Sequence, residues 1–522
     1  MANASAVQVN SDPSTEATYG SAWVIAGFAI AAVAFHLIFN RGYGYFRDEL
    51  YYLACGQHLD WGYVDQPPLI AVVARLSRAL LGDSLAAIRF FPALSGGGKV
   101  VLAGLIAREL GGRLWAIALA CAATLSAGVY LATDNILTMN AFEPLFWMGC
   151  AWILARIVNG GSPHLWLWFG ALAGLGLENK HSMAFFGAAL GVGVLVTPLR
   201  RHLAEKWIWL GGLTAFAIAL PNLIWEIRHH WATWELLNNI AHSRKNVVLG
   251  PAEFMKQQLL IMNPATAPLW IGGLLWLLFA AGGRRFRALG VAYLVVLAEF
   301  LLLHGKHYYL APAYPMLFAA GGVAWERLLG VRLRWIKPVA IVAMLALIAL
   351  LIPTSVPILP PEKTIAYMKA IHFEPPRTER SHTAALPQIL SDQFGWDEMV
   401  RDVARVYHRL PPAEQAKAAI FGQDYGQAAA VDFFGPRYGL PPAISGHQNY
   451  FLWGPRGYNG DVLIVLDDRD DDEGQQFASV EDMGPVHISR YAMPWEQRLH
   501  VYLCRGLKTP IAELWPQLKF WY

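Results

Sequence analysis

Apolar segments of about 20 residues recur along the first two-thirds of this chain. The hydrocarbon core of a bilayer is about 30 Å thick, so a helix needs roughly 20 mostly apolar residues to cross it. By that measure the sequence predicts about eleven membrane-spanning helices. They lie near residues 22–40, 89–107, 114–132, 137–157, 165–178, 183–198, 207–225, 259–281, 288–304, 309–326 and 336–353. We therefore expect a polytopic α-helical membrane protein.

The composition argues against an ordinary soluble enzyme. Of the 522 residues, 55% are hydrophobic and only 15% are charged, and the mean hydropathy is +0.34, whereas soluble chains carry about 25% charged residues. The formal charge of +3 is too small to suggest a protein that binds nucleic acid. The four cysteines form no CxxC pair and no zinc spacing, so no disulfide framework or metal site is indicated. The first twenty residues are polar and lack the order of a cleavable signal peptide.

Beyond Pro353 the sequence becomes rich in charge and proline. Strand-like runs occur at 418–421 and 462–466, and residues 421–430 are typical of a strand, a turn and a helix in an ordinary connection. The acidic run at 467–473 departs from the EF-hand pattern and is interpreted as a solvated loop. The chain thus divides into a polar tail at 1–20, a transmembrane domain at 21–355 with a large first outer loop at 41–88, and a soluble α/β or α+β domain at 356–522.

Basic residues in the turns between the apolar segments predict the orientation, because short cytoplasmic loops retain Lys and Arg. With the N-terminus inside, every predicted inner turn carries at least one basic residue. These residues are Arg108, Arg113, Arg156, Arg200, Arg201, Lys206, Arg284, Arg285, Arg287, Arg327, Arg332, Arg334 and Lys337. The outer turn at 133–136 has none, and that at 179–182 has only Lys180. We therefore expect a cytoplasmic N-terminus and a C-terminal domain in a periplasmic or extracellular space.

Polar residues at membrane level gather on the predicted outer side. The five outer loops contribute in turn Asp48 and Glu49, then Asp134, then Lys180 and His181, then Arg244 and Lys245, and finally Lys306, His307 and Tyr308. Carboxylates, ammonium groups and imidazoles thus meet at one water–membrane boundary. Such a boundary suits a reaction between a lipid-borne anion and a polar acceptor: cations bind the lipid phosphate, and a carboxylate accepts a proton from the acceptor.

Each of these residues also has a structural interpretation. Asp48 and Glu49 lie where charged residues commonly mark a membrane interface, and Asp134 has the position of an N-cap for the fourth span. The basic residues of the third and fifth loops fit snorkelling interface residues, and the tyrosines fit an aromatic belt. It is the convergence of the five loops on one face that favours a functional site.

Two further charges, Lys99 and Glu143, fall near the middle of the membrane in the second and fourth predicted spans. An isolated charge at that depth is costly. We therefore predict that Lys99 and Glu143 pair with each other as a structural tie.

Two stretches carry a resemblance to a known family. Residues 45–53 read Tyr-Phe-Arg-Asp-Glu-Leu-Tyr-Tyr-Leu, and residues 306–315 read Lys-His-Tyr-Tyr-Leu-Ala-Pro-Ala-Tyr-Pro. Together with Asp65-Gln-Pro-Pro and the Asp after the third span, they resemble the GT-C superfamily of membrane glycosyltransferases. Within it, the chain is most similar to the bacterial family 39 type, which is related to protein O-mannosyltransferases and lipid A aminoarabinose transferases. The resemblance covers about residues 20–350.

The resemblance implies roles for single residues. Asp48 matches the first-loop acid, the expected general base for the acceptor hydroxyl, and Glu49 would assist or position it. Asp134 matches the second-loop acid, expected to orient acceptor or donor. Lys180 matches a basic residue that reaches the donor phosphate. Further candidates for phosphate binding are His181, Lys306, His307 and Tyr308. One departure is Gln66, which stands where aminoarabinose transferases place a Lys.

The resemblance further implies a polyprenyl-phosphate-sugar-dependent glycosyltransferase that moves a hexosyl or pentosyl group. The donor would be a polyprenyl-phosphate-linked sugar and the acceptor a cell-envelope lipid, polysaccharide or protein, at the outer face of the inner membrane. The alternatives are a transporter or flippase for a lipid-linked sugar and an assembly factor with a degenerate site. Transporters tend to have internal repeats and a binding site at the middle of the bilayer. The sequence shows no repeat, and its polar groups lie at one face, so transport is the less favoured alternative. No cofactor is implied, and a divalent metal stays open because His304 and His307 are spaced as on one helix face.

Overall fold

The protein is described by a computed structural model that covers residues 13–243, 247–374, 384–468 and 473–522. Most of the predicted polar tail, Arg244 and Lys245 of the fourth loop, and residues 469–472 of the acidic run lie outside the described residues. The helices of the N-terminal part are α1 (Pro13–Phe39), α2 (Arg47–Gln57), α3 (Leu69–Leu81), α4 (Leu85–Ile88), α5 (Phe90–Glu109), α6 (Leu114–Leu125), α7 (Gly128–Thr133), α8 (Met139–Val158), α9 (Leu165–Asn179), α10 (Met183–Leu195), α11 (Lys206–Arg228), α12 (Ala232–His242), α13 (Pro251–Ile261), α14 (Ala267–Phe279), α15 (Arg287–Leu302), α16 (Tyr314–Leu328) and α17 (Ile336–Leu351). Each of the predicted apolar segments is helical over most of its length.

The structure does not confirm the predicted number of about eleven membrane-spanning helices. Within the described residues, five helical segments are long and apolar enough to cross a bilayer, or up to seven if two bent helix pairs each count as one span. The bent pairs turn by 101° after α10 and by 96° after α13. The helices α6, α9, α15 and α16 have 12, 15, 16 and 15 residues, which at 1.5 Å per residue is roughly 18–24 Å. The prediction of about eleven spans is therefore not confirmed, because several apolar segments are short or broken.

Turns that carry predicted inner basic residues meet at one end of the helical part. The backbone NH of Arg113 donates to Glu326 at 2.7 Å. In the next turn, the Asn159 amide donates to the Glu109 carbonyl oxygen at 2.7 Å, and Arg156 lies 3.9 Å from the Glu109 carboxylate. Three predicted inner turns that are far apart in sequence therefore contact one another at this end: the turn at Arg113 contacts Glu326, and the turn at Arg156 and Asn159 contacts Glu109.

The C-terminal part is built around a mixed five-stranded sheet. Its helices are α18 (Pro361–Ala370), α19 (Gln388–Ser391), α20 (Trp396–Tyr407), α21 (Pro412–Gln415), α22 (Tyr425–Phe434), α23 (Gln448–Trp453), α24 (Glu473–Gln476) and α25 (Ile511–Leu514). Its strands are β1 (Ala418–Gly422), β2 (Ala443–Ile444), β3 (Val462–Asp467), β4 (Phe477–Pro485) and β5 (His500–Leu507), in the order β2-β1-β3-β5-β4. Strand β1 runs parallel to β2 and β3, whereas β5 is antiparallel to β3 and β4.

The sheet agrees with the strand-like runs in the sequence. The predicted runs at 418–421 and 462–466 are β1 and β3, which pair in register with Ile420 opposite Ile464. Strand β3 is buried along almost its whole length, as a continuous apolar run in the middle of a sheet should be. The predicted strand, turn and helix at 421–430 are the end of β1 and the start of α22. A mainly helical chain with a small C-terminal sheet is therefore confirmed.

The C-terminal part packs directly on the first outer loop. Buried residues of α2, among them Leu50 and Leu53, share one hydrophobic core with Trp396 and Met399 of α20 and with Val431 of α22. Burying apolar side chains from both parts stabilises their docking by roughly 25 cal/mol for each Å² removed from water. The first outer loop is thus fixed between the helical part and the sheet.

Candidate active site

Asp48 lies in the first turn of α2, beside the C-terminal part of the chain. An acidic residue in the first turn is stabilised by the helix dipole. About 31% of the side chain is exposed, so its carboxylate is open to a ligand. Its Oδ1 accepts a hydrogen bond of 2.7 Å from the Tyr425 hydroxyl, and Arg47 Nε lies 3.7 Å away. Asp48 is therefore an accessible carboxylate with one oxygen already bonded.

Glu49, the next residue, is completely buried. Arg89 donates to both of its oxygens at 2.8 Å. The backbone NH groups of Leu137 and Phe46 donate to the same two oxygens at 2.6 and 2.8 Å. The Glu49 carboxylate is thus fully occupied and ties α2 to the starts of α5 and α8. The predicted role of Glu49, to assist or position Asp48, stays a prediction. The geometry allows Glu49 to position the loop that carries Asp48.

Asp134 is also buried, and its partner corrects two expectations. Its carboxylate pairs with the buried ammonium group of Lys99, which also donates to the Ala141 carbonyl oxygen at 2.9 Å. The prediction that Lys99 pairs with Glu143 is therefore wrong. The interpretation of Asp134 as an N-cap is also wrong, because Thr138 caps α8 through the NH of Asn140. Asp134 ends α7 instead, so the nearest acid to Lys99 comes from the outer turn and not from the facing span.

Lys180 lies between α9 and α10 in a cluster of polar and aromatic groups. Its ammonium group donates to Asn140 Oδ1 at 2.7 Å and to Glu143 Oε2 at 3.0 Å. The same group lies 4.4 Å from the ring centre of Tyr309 and 5.9 Å from that of Tyr308. Lys180 thus joins the third outer loop to the fifth. Glu143, which also accepts a hydrogen bond from Ser182, is a partner of this lysine.

The fifth outer loop supplies groups of unequal charge. Burial, followed by the charge of Lys306, lowers the pKa of His307 to about 4, so this imidazole is neutral near pH 7. Within the described part of the chain, the half-buried ammonium group of Lys306 has no hydrogen bond or ion pair with protein. Lys306, and not His307, is therefore the cation that this loop can offer to an anion.

Tyr308 links the fifth loop to the first. Burial, the adjacent Tyr309 and the negative charges of Asp48 and Glu143 raise the pKa of Tyr308, so its hydroxyl stays protonated. Both carboxylates act electrostatically on the Tyr308 hydroxyl, and the Tyr308 ring centre lies 5.9 Å from the Lys180 ammonium group. Tyr308 thus contacts Lys180 of the third loop and is influenced by Asp48 of the first loop, and the roles predicted for these residues stay predictions.

His181 and Gln66 occupy the margins of this region. His181 Nε2 lies 3.1 Å from Asn222 Oδ1, and the Asn222 amide donates to the backbone oxygen of Trp61 in the first outer loop. The Gln66 side chain is buried and contacts Cys55 Sγ at 3.6 Å. The chain therefore supplies no charge at position 66, where aminoarabinose transferases place a lysine.

No metal centre is assembled by the parts of the chain that the structure describes. No group of three or more His, Cys, Asp and Glu side chains there is placed to hold a metal ion. His304 and His307 do not share a helix face, because α15 ends at Leu302 and His304 has a positive φ of 54°. Their expected spacing on one helix is thus wrong.

The sequence did not reveal Tyr425 as a member of the site. It is separated from Asp48 by 377 positions, and residues 421–430 were expected to form an ordinary connection. The local pattern of strand, turn and helix is correct, but it contains no information on which surface the helix start would face. The partners Asn140 and Ser182 were missed for the same reason.

Comparisons with known proteins show which families and folds the chain is similar to. The family model of dolichyl-phosphate-mannose-protein mannosyltransferases matches residues 65–225. Lipid A galacturonosyltransferase RgtD of Rhizobium johnstonii is 29% identical over 206 residues, which are 38% of this chain and 42% of the relative. The match thus spans about two-fifths of the length of that curated relative.

The fold is similar to that of a solved structure along nearly the whole chain. ArnT from Cupriavidus metallidurans bound to undecaprenyl phosphate gives a TM-score of 0.60 at 15% identity, with 93% of this chain and 98% of that chain covered. The apo state of the same protein gives a TM-score of 0.61 with equal coverage. At this identity the likeness concerns the fold. In sequence and in fold, the chain therefore resembles the GT-C membrane glycosyltransferases, as its first outer loop and residues 306–315 predicted.

Proposed function

We propose that this protein transfers a sugar from a polyprenyl-phosphate donor to a cell-envelope acceptor at the outer face of the inner membrane. The observation that carries this proposal is that Tyr308 lies 5.9 Å from the Lys180 ammonium group and within the electrostatic influence of Asp48, so that residues of three separate predicted outer loops act on one another. A carboxylate, a protonated hydroxyl and an ammonium group are the groups that such a transfer needs in one place. The names of the relatives support the same class of reaction.

Asp48 is the proposed general base. Its partly exposed carboxylate accepts the proton of the acceptor hydroxyl while the hydroxyl oxygen bonds to the anomeric carbon. The bond between that carbon and the phosphate oxygen breaks, and its electron pair stays on the phosphate. General base assistance of this kind is typically worth about 10²–10⁴-fold in rate. A single displacement of this form inverts the anomeric carbon.

The donor phosphate is the proposed ligand of Lys306, Lys180 and Tyr308. Lys306 has no protein partner within the described ranges and contributes its whole charge, whereas Lys180 is partly neutralised by Glu143. The protonated Tyr308 hydroxyl adds a neutral donor. Donors already in position stabilise the charge that develops on a leaving phosphate without reorganisation. His181 is a secondary candidate at the edge, and the neutral His307 would act only as a hydrogen-bonding group.

Glu49 and Asp134 are proposed to position the catalytic loop rather than to contact substrate. Both carboxylates are buried and paired with a cation. The Glu49–Arg89 pair fixes the start of α2, which carries Asp48. The Lys99–Asp134 pair lies next to the first turn of α8, whose Asn140 contacts Lys180.

We further propose that the enzyme needs no metal, because the roles of a Lewis acid are assigned to Lys306, Lys180 and Tyr308. Turnover that persists in EDTA is the expected result. Loss of turnover in EDTA, with recovery on adding one divalent ion, would overturn this part of the proposal.

The test of the function is to deplete the protein and compare envelope glycans and glycolipids by mass spectrometry. We expect a wild-type glycan or glycolipid to lose one hexosyl, uronosyl or pentosyl unit. A lipid acceptor is examined first, because the curated relative is named for lipid A. Accumulation of carrier-linked sugar on the cytoplasmic leaflet would instead favour a flippase, and an unchanged set of glycans would contradict transfer.

A further inference from the structure

The start of α22 approaches the first outer loop very closely. Asp424 caps this helix, since its carboxylate accepts a hydrogen bond from the NH of Gln427 at 2.9 Å. At Gly426 a Cβ would lie only 2.5 Å from Cγ of Arg47. A side chain at this position would require Arg47 or the helix start to shift, so the glycine allows the start of α22 to lie directly against the residue next to Asp48.

Tyr425, the first residue of α22, is fixed in place on several sides. Its ring centre lies 4.7 Å from that of Tyr51 and 5.0 Å from that of His447, and the Arg47 guanidinium lies 5.4 Å from it. Its backbone NH donates to His447 Nδ1 at 3.2 Å. Aromatic contacts of this kind restrict the side chain to one rotamer, so its hydroxyl has a defined position.

The Tyr425 hydroxyl is a hydrogen-bond donor to the proposed base. It donates to Asp48 Oδ1 at 2.7 Å. Burial raises the pKa of Tyr425 well above its ordinary value, and the charge of Asp48 acts in the same direction against the opposing effect of Arg47. The hydroxyl therefore keeps its proton near neutral pH. One oxygen of Asp48 is thus occupied, which leaves the other for the acceptor hydroxyl.

We infer that Tyr425, a residue of the soluble C-terminal domain, is a positioning residue for Asp48 and that the active site is complete only when this domain is docked. The inference rests on the proposed function, because it assumes that Asp48 is the base. The domain then contributes to turnover itself and is more than a cover over the membrane part. Removal of one hydroxyl, more than 370 positions away from Asp48 in sequence, should alter the rate of turnover and its pH dependence.

A change in the pH dependence of the rate is the signature of this role. The charged and titratable groups that face Asp48 are Arg47 on its own helix, Tyr425 on α22, and Tyr52 and Tyr308, whose hydroxyls lie within its electrostatic influence. Asp65 acts on the same tyrosines Tyr52 and Tyr425. A hydrogen bond to a carboxylate favours its charged form. Loss of the Tyr425 hydrogen bond should therefore move the acid limb of the kcat/KM profile to higher pH.

The experiment compares wild-type protein with Tyr425→Phe, which keeps the ring and removes the hydroxyl. The full chain is purified in detergent, and transfer from a synthetic polyprenyl-phosphate sugar is followed from acid to neutral pH. We expect kcat to fall roughly 10- to 100-fold, as for loss of a hydrogen bond to a charged group, with KM little changed. The acid limb should move upwards.

The matched control is Tyr438→Phe. Tyr438 lies in the same domain, and its hydroxyl donates to Asp397 at 3.1 Å, away from the first outer loop. This variant should keep both the wild-type rate and the wild-type profile. Gly426→Ala is the second test variant, because its new Cβ would crowd Arg47 and disturb the contact between the start of α22 and the first outer loop, and it should move the limb in the same direction. It also covers the case in which Tyr425→Phe does not fold.

The outcomes separate this inference from the proposed function. A wild-type profile in both test variants, or a lower rate with an unmoved acid limb, overturns the role of Tyr425. If Asp48→Asn is inactive in the same assay, the proposed base survives that result. If Asp48→Asn turns over normally, the base itself is wrong, and the inference falls with it.

Discussion

At the scale of single residues, Asp48 and Glu49 are neighbours in sequence with opposite surroundings. Asp48 is partly exposed and bonded on one oxygen, whereas Glu49 is buried and bonded on both. A buried carboxylate with an arginine across both oxygens stabilises a fold only while both partners are present. The two acids therefore predict different results on mutation.

Glu49→Gln should destabilise the protein strongly, because it leaves Arg89 buried without an opposite charge. Breaking a buried ion pair costs about 3–5 kcal/mol, and thermal unfolding in detergent should show a clearly lower Tm. The control is Glu253→Gln, which removes a carboxylate from an exposed pair with Lys256 and should change Tm little. Equal Tm values for wild-type protein and Glu49→Gln would contradict this assignment.

His307 predicts a pH dependence of stability. Its pKa is about 4 in the folded protein and about 6.5 in an unfolded chain, so the unfolded state binds more protons between these values. The stability that neutral His307 provides is present above pH 6.5 and is lost as the pH falls towards 4, by up to about 3 kcal/mol. His307→Gln should flatten the fall of Tm between pH 7 and 5, and His242→Gln, an exposed histidine, should not. An unchanged slope in His307→Gln would contradict the buried, neutral imidazole.

Residues of the site were predictable where a local motif carried them. The stretches around Asp48 and Lys306 were recognisable in the sequence, and in the structure Tyr308 is influenced by the charge of Asp48 and lies 5.9 Å from the Lys180 ammonium group. Ion-pair partners were not predictable, as the wrong pairing of Lys99 with Glu143 demonstrates. Periodicity fixes which residues lie at a given depth, but the choice among several acids at that depth depends on helix rotation.

At the scale of elements, the helices were predictable and their interruptions were not. Long apolar segments specify helix by themselves. The break between α6 and α7 and the sharp turns after α10 and α13 depend on packing against neighbouring helices. Strands β1 and β3 were visible as short apolar runs, whereas most positions of β4 are exposed or only partly buried, and it gave a weaker signal.

Gly44→Ala tests the contact between the first outer loop and the C-terminal part. A Cβ at Gly44 would lie 2.2 Å from the backbone oxygen of Gln393, a separation that a side chain cannot relieve by rotating. We expect the free energy of unfolding to fall by the roughly 1–3 kcal/mol typical of overpacking, and the Tm to fall with it. Protease should also release the C-terminal part more easily. Gly187→Ala, with open space around the new atom, is the control and should not be destabilised. Resistance to protease equal to wild type would contradict the close contact at Gly44.

At the scale of the whole molecule, the proposed site lies where the helical N-terminal part and the C-terminal part of the chain share one hydrophobic core. The sequence predicted the two parts, because their composition differs. It could not predict that the core of the soluble part extends into the first outer loop, since contacts between residues hundreds of positions apart leave no local pattern. The contribution of Tyr425 to the site follows from that docking.

The proposed orientation can be tested with single cysteines, because all four native cysteines are buried. Glu513→Cys lies on the exposed surface of the C-terminal part, and Leu333→Cys lies in a predicted inner turn with 46% of the residue exposed. In intact cells, a membrane-impermeant maleimide should label Glu513→Cys. It should label Leu333→Cys only after the membrane has been permeabilised. The reverse pattern would place the site on the cytoplasmic face, and unmodified wild-type protein controls for the native thiols.

The most direct test of the central claim is sugar transfer by purified protein from a synthetic polyprenyl-phosphate sugar to a lipid A type acceptor. Wild-type protein and Asp83→Asn, whose aspartate lies in the same loop in an exposed pair with Arg78, should transfer at equal rates. Asp48→Asn should fold normally and be roughly 10²–10⁴-fold slower. Near-normal turnover by Asp48→Asn would contradict the account.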